Sequence, residues 1–153
     1  VCLVPENRRE VTTEGGLDVA GNASKAREVT STLVSAGIPV SLFIDPETDQ
    51  LEASAEAGAP WVELHTGSFA RAWFDENARR RELNVLRSGM DLGVSLGLRV
   101  NAGHGINYLN VAEAQTLSSV FEFNIGHSII SRALFTGIEE AVATMRSLLN
   151  PES

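Results

Sequence analysis

Three short segments carry groups that move protons or bind anions, two of them set among glycines. The first is NAGHG, residues 101–105. Glycines on both sides of a histidine let a backbone or a ligand come close. Imidazole titrates near neutral pH, so His104 is a candidate general acid or base. A histidine hydrogen-bonded inside a tight turn is the alternative. The second segment is NIGHS, residues 124–128, followed by the largely apolar stretch 129–135. A short helix here would leave free N–H groups near Gly126 and His127, an arrangement suited to phosphate. The alternative is an amphipathic helix that only caps the fold. The third segment holds Glu63, His65 and Thr66. On a strand, residues 63 and 65 share a face. A carboxylate there is costly to bury unless it is paired or used. Glu63 therefore stabilises developing positive charge, shares a proton, or pairs with an internal arginine or lysine.

A fourth segment is the loop over residues 5–18, PENRREVTTEGGLD. It is long for a connection between a strand and a helix. Arg8 and Arg9 attract anions, Thr12 and Thr13 offer hydroxyls to phosphate oxygens, and Gly15–Gly16 supply a hinge. These features read as a lid, with a solvated charged loop as the alternative. The phosphate loop GxxxxGK[ST], the dinucleotide fingerprint GxGxxG, the nucleophile elbow GxSxG and the zinc motif HExxH are all absent from the sequence. His65, His104 and His127 are all expected near strand ends, so a metal-dependent hydrolase stands as a competing reading. A non-catalytic phosphosugar-binding protein is another.

These groups need a scaffold. Residues 1–4, 40–44 (VSLFI), 61–65 (WVELH), 98–102 (LRVNA) and 121–125 (FEFNI) are predicted strands, rich in β-branched and aromatic residues. Helices are predicted over 23–36, 46–57, 77–96, 111–117 and 138–149. Asn22 and Asp45 are the expected N-caps of the first two, and Gly37, Gly58 and Gly97 the expected stops. Pro46 suits a first helical position. Asn110 with Glu113, and Thr136 with Glu139, have capping-box spacing.

Strict alternation of strand and helix implies a parallel sheet, either an open doubly wound sheet or a closed barrel. A doubly wound sheet gathers its site at one switch point. A (β/α)8 TIM barrel uses the C-terminal ends of many strands. Here polar or glycine-rich residues follow every predicted strand, which favours the barrel. A complete barrel needs eight strands and about 250 residues. The expectation is thus a single domain over 1–153, forming the C-terminal portion of an incomplete barrel of about five strands. Val1 falls within an apolar, strand-like run, and the N-terminal strands are expected to be missing.

Net charge is −8, which argues against general nucleic-acid binding but not against local phosphate sites. Cys2 is the single cysteine, so no internal disulfide forms, in keeping with a reducing cytoplasm. No apolar run is long enough to span a membrane, and no secretory signal is evident.

The segments CLVPENRREVTTEGGLDV, VSLFIDP, GAPWVELHTG, GLRVNAGHGINY and EFNIGHSIISRALFTG resemble consecutive motifs of the pyridoxine 5′-phosphate synthase family, in the family's order and across nearly the whole chain. The resemblance implies a TIM barrel that condenses 3-amino-2-oxopropyl phosphate with 1-deoxy-D-xylulose 5-phosphate. The products are pyridoxine 5′-phosphate, phosphate and water, in vitamin B6 biosynthesis. It implies His104 as proton donor and Glu63 as transition-state stabiliser. It implies Gly105, Gly126 and His127 as contacts to the amino-ketone phosphate, and Thr12 as a contact to the deoxyxylulose phosphate. It also implies a homo-octamer with no metal or organic cofactor. The family's remaining catalytic groups lie on its first three strands, so residues 1–153 are expected to be inactive alone.

Overall fold

The computed structural model describes residues 1–5 and 15–151. Thr12, Arg8, Arg9 and Thr13 lie outside the described residues.

Five parallel strands form one sheet in the order β1-β2-β3-β4-β5. They are β1 (Cys2–Leu3), β2 (Ser41–Ile44), β3 (Trp61–His65), β4 (Arg99–Gly103) and β5 (Glu122–Asn124). Each strand pairs with the next in sequence. A doubly wound sheet would reverse its order at a switch point. Strictly sequential order is that of a barrel wall, so the fold is an α/β incomplete TIM barrel. Among the described residues, β1 and β5 form the two edges. Strand β3 has the sequence-based bounds, and the ends of the other four differ from them by at most one residue, the usual uncertainty at element ends.

The ladder register sorts the side chains into two faces. Paired residues of parallel strands point the same way, so Phe43, Glu63 and Asn101 share a face, as do His65, Gly103 and Asn124. Leu42, Ile44, Val62, Leu64, Val100 and Ala102 occupy the opposite face and are almost fully buried. Helices α1 (Ala23–Ser35), α2 (Thr48–Glu56) and α4 (Glu76–Ser95) contribute Ala26, Leu51, Leu86 and Met90 to the same core. The apolar face is thus the helix-facing one, and the inner face carries the polar groups.

The two ends of the sheet differ. At the N-terminal ends of β3 and β4, the Arg99 guanidinium lies 5.3 Å from the Trp61 ring and 5.0 Å from that of Phe121. The two rings meet edge-on at 5.3 Å. This is a packing cluster of cation–π type. The proton-transfer candidates gather at the other end.

Several capping expectations need correction. Helix α2 starts at Thr48 with Glu47 at its N-cap, not at Pro46 with Asp45. The Asp45 carboxylate is used elsewhere, by the Gly16 N–H and by His65. Asn22 makes no side-chain cap; its amide donates to the Asp18 carbonyl at 2.9 Å. Asn110 does stand at the N-cap of α5 (Val111–Ala114), but its side chain makes no cap hydrogen bond. Its Oδ1 accepts from the Asn107 N–H, and its Nδ2 donates to the Gly105 carbonyl at 3.0 Å. Thr136 is the last residue of α6 (His127–Thr136), and Gly137 occupies the N-cap of α7 (Ile138–Leu149). Helix α4 is capped instead by Asp75, which accepts from the Ala78 N–H at 3.0 Å. The short helix α3 (Gly67–Arg71) was not foreseen; five residues carry too little periodicity to reveal it.

Candidate active site

A cleft of about 510 Å3 opens at the C-terminal ends of β3, β4 and β5, with Glu63, His104, Gly105, Asn124, Gly126 and His127 among its walls. A shallower depression of about 700 Å3 runs along α7, and its walls come from that helix alone. The chemistry-bearing residues converge on the first.

Glu63 projects from the middle of β3 and is half-buried. Its Oε2 accepts from the Asn124 amide at 2.7 Å. Burial pushes the Glu63 carboxyl above the ordinary range, the Asn124 hydrogen bond pulls it back, and Glu122 adds a smaller upward push. Between Glu63 and Asn124 lies Gly103, where any Cβ would collide with Glu63 Oε1 and approach the Asn124 carbonyl to 3.0 Å. Glycine at 103 is what gives the carboxylate room. No arginine or lysine pairs with Glu63 among the described residues.

His104 follows β4 in the left-handed region, with φ of 76°. Such a backbone is uncommon for a non-glycine residue and is tolerated where the surroundings enforce it. Thr66 is one enforcer: its hydroxyl lies 2.8 Å from the Gly103 carbonyl oxygen and 2.6 Å from that of His104, sharing one proton between them. The next residue, Gly105, has φ of 89°, and a Cβ there would come within 2.7 Å of Ala70 Cβ. Burial, then His65, then Arg71 hold the His104 pKa below the usual imidazole value.

Helix α6 begins at His127 with Gly126 as its N-cap; no side chain caps it, and its first turn has no acidic residue. Its first N–H groups and the positive end of its dipole therefore face the cleft uncompensated. Ser128 ties this end to the preceding loop by donating to the Ile106 carbonyl at 2.9 Å.

The structure thus brings Glu63, His104, Gly105, Gly126 and His127 to one cleft. Thr12 falls outside the described residues. Three histidines do not converge as metal ligands: His65 is buried, and its Nδ1 is held 2.9 Å from Asp45 Oδ1. Among the described residues no group of three His, Cys, Asp or Glu side chains is placed to hold a metal ion. No helix is long and apolar enough to cross a membrane among those residues. Sequence reasoning missed two contributors. Asn124 was visible as part of NIGHS, but only the register sets it beside Glu63. Asp45 carried the signal of a helix cap, which masked its role toward His65.

A sequence profile described as "Pyridoxal phosphate biosynthesis protein PdxJ" matches residues 1–151. The chain belongs to the PdxJ family. Curated relatives named pyridoxine 5′-phosphate synthase include that of Opitutus terrae, 55% identical over 151 residues, covering 99% of this chain and 61% of the relative. The Trichodesmium erythraeum relative is 53% identical over 150 residues, covering 98% and 62%. That of Pseudoalteromonas translucida is 52% identical over 149 residues, covering 97% and 61%. The PdxJ chain described here therefore spans about 61% of the length of relatives it matches.

Proposed function

We propose that this PdxJ chain forms one domain, the C-terminal portion of a pyridoxine 5′-phosphate synthase barrel. In this reading it condenses 3-amino-2-oxopropyl phosphate with 1-deoxy-D-xylulose 5-phosphate once the remaining strands are supplied. The observation that carries the reading is the shared cleft: a proton-transfer group, a carboxylate and an uncapped helix N-terminus lie together at the strand ends of a chain from this family.

The reaction explains the residue types. The amine and ketone join as an imine with loss of water, a proton leaves carbon, phosphate is eliminated, and the ring closes with loss of a second water. Each of these steps moves a proton, so more than one acid and base is needed. His104 serves as proton donor. Its lowered pKa makes the protonated ring a readier proton donor than an ordinary imidazolium, and the negative charge of a bound phosphate favours charging it. Glu63 faces the developing cationic imine and stabilises it. The amides of Gly126 and His127 at the start of α6, with Gly105 opposite, hold the amino-ketone phosphate. Thr12 contacts the second phosphate. The same reading carries the family's homo-octamer and a cytoplasmic location.

Backbone amide shifts test the phosphate assignment on the chain itself. Titrating 15N-labelled protein with 3-amino-2-oxopropyl phosphate is expected to move the amide signals of Gly105, Gly126 and His127 first. Saturable shifts elsewhere, with these three unmoved, would contradict the assignment.

A further inference from the structure

His65 is not accounted for by the chemistry above. It is 4% exposed, sits two residues from Glu63 on β3, and shares its inner face. Its Nδ1 lies 2.9 Å from Asp45 Oδ1, while the other Asp45 oxygen accepts the Gly16 N–H at 2.9 Å. With both oxygens engaged, the carboxylate is fixed in place. An ionised carboxylate only accepts, so the proton on the neutral imidazole sits on Nδ1 and Nε2 is left as a bare acceptor. That Nε2 is buried and has no hydrogen-bond partner among the described residues. A phenylalanine or leucine would fill this space without the cost of an unsatisfied nitrogen. The imidazole therefore needs a reason beyond packing.

Its neighbour supplies one. The His65 and His104 rings meet edge-to-face, centroids 5.2 Å apart at 64°. Phe43 closes the third side, 5.3 Å from His65 and 5.9 Å from His104. His104 is otherwise exposed on a strained backbone, so these two ring contacts aim it, the His65 one being the closer. We propose that Asp45 and His65 are a positioning pair for His104: Asp45 fixes the tautomer and plane of His65, and His65 fixes the orientation and electrostatic surroundings of the His104 ring. The proposal rests on the reading of His104 as proton donor. His65 does not touch substrate in it, because it is sealed beneath Gly67, where a Cβ would collide with Nε2, and Asp45 acts through His65.

The groups facing His104 are His65 on β3, Arg71 on α3, and Glu63 and His127 across the cleft. Of these, His65 is the one whose orientation a separate carboxylate controls. Removing its ring is expected to open that side of the His104 ring to water and so to relieve part of the burial that disfavours a proton on it.

Histidine NMR on the intact chain tests this without substrate, so its outcome is independent of whether the synthase reading holds. Long-range 1H–15N correlation is expected to show His65 protonated at Nδ1 and bare at Nε2, and Asp45→Ala is expected to release that tautomer. His65→Asn keeps an amide donor toward Asp45 but has no ring. In it, the His104 titration midpoint is expected to move up, and Asp45→Ala, which keeps the His65 ring but frees its orientation, is expected to shift the midpoint as well; a His65 that merely covers His104 would leave the Asp45→Ala midpoint in place. A wild-type His65 protonated at Nε2 would overturn the proposal. So would an unmoved His104 midpoint in a His65→Asn variant whose amide spectrum stays dispersed. Should either variant fail to fold, the wild-type tautomer decides alone.

Discussion

Glu63 and Asn124 meet across two strand spacings: the Asn124 amide donates to Glu63 Oε2 at 2.7 Å, bridging β3 and β5 over Gly103 of β4. One hydrogen bond joins the end of the last strand to the carboxylate at the centre of the inner face. It also opposes the burial that favours protonated Glu63.

The sign of the pH dependence follows. The folded pKa of Glu63 is raised, so its stabilising effect is fully present below the unfolded value of about 4.3 and is lost as pH rises through the folded value. Glu63→Gln stays neutral throughout. Urea unfolding from about pH 4 to pH 7 is therefore expected to show the variant gaining on wild type as pH rises. Parallel stability curves would contradict this. Asn124→Ala is expected to raise the Glu63 pKa further, measurable by 13C titration of the carboxyl.

Gly105 and Gly97 both have positive φ, at 89° and 83°, but their surroundings differ. A Cβ at Gly97 meets open space, so alanine there is expected to cost about 1–2 kcal/mol from backbone strain alone. At Gly105 the same Cβ meets Ala70 at 2.7 Å, and the loop carrying His104 would have to shift. Denaturant midpoints are expected to fall further for Gly105→Ala than for Gly97→Ala. Equal losses would show that the loop adapts freely.

Gly126 separates ligand binding from stability. Nothing lies within 4 Å of a Cβ built there, and its φ of −119° suits any residue. Gly126→Ala is expected to leave stability within about 0.5 kcal/mol. In an active barrel it is expected to raise KM for the amino-ketone phosphate, roughly tenfold if about 1.4 kcal/mol of binding is lost. An unchanged KM would remove Gly126 from the phosphate site.

Residues 1–153 alone are expected to give no multiple turnovers with both substrates. The chain covers about 61% of the relatives' length, and the cleft holds a single carboxylate beside its two imidazoles for a reaction that moves several protons. Sustained product formation by the isolated chain would contradict this.

Much of the architecture was legible in the sequence, and the reason is periodicity. VSLFI and WVELH are short β-rich runs, and the helices between them end at Gly37, Gly58 and Gly97, all three in the left-handed conformation. The grouping of His104, Gly105, Gly126 and His127 was legible because strand ends in a parallel barrel share one rim. What failed was local side-chain bonding. Asp45, Asn22 and Asn110 all have cap-like positions, yet each is engaged by a different partner. Their choices depend on residues that register and loop path bring close: Asp45 meets His65 only because β2 and β3 pair. Helix α3 was hidden by its shortness.

The most direct test completes the barrel. Residues 1–153 would be joined to the part of the Opitutus terrae relative that the chain leaves uncovered, and pyridoxine 5′-phosphate would be measured from the two phosphorylated substrates. The account predicts turnover in the completed protein, and a loss of about 10²–10⁴ in kcat for His104→Ala with the fold intact. A folded chimera that binds both substrates without turnover, or a His104→Ala loss below about threefold, far short of the range for one acid–base group, would contradict it.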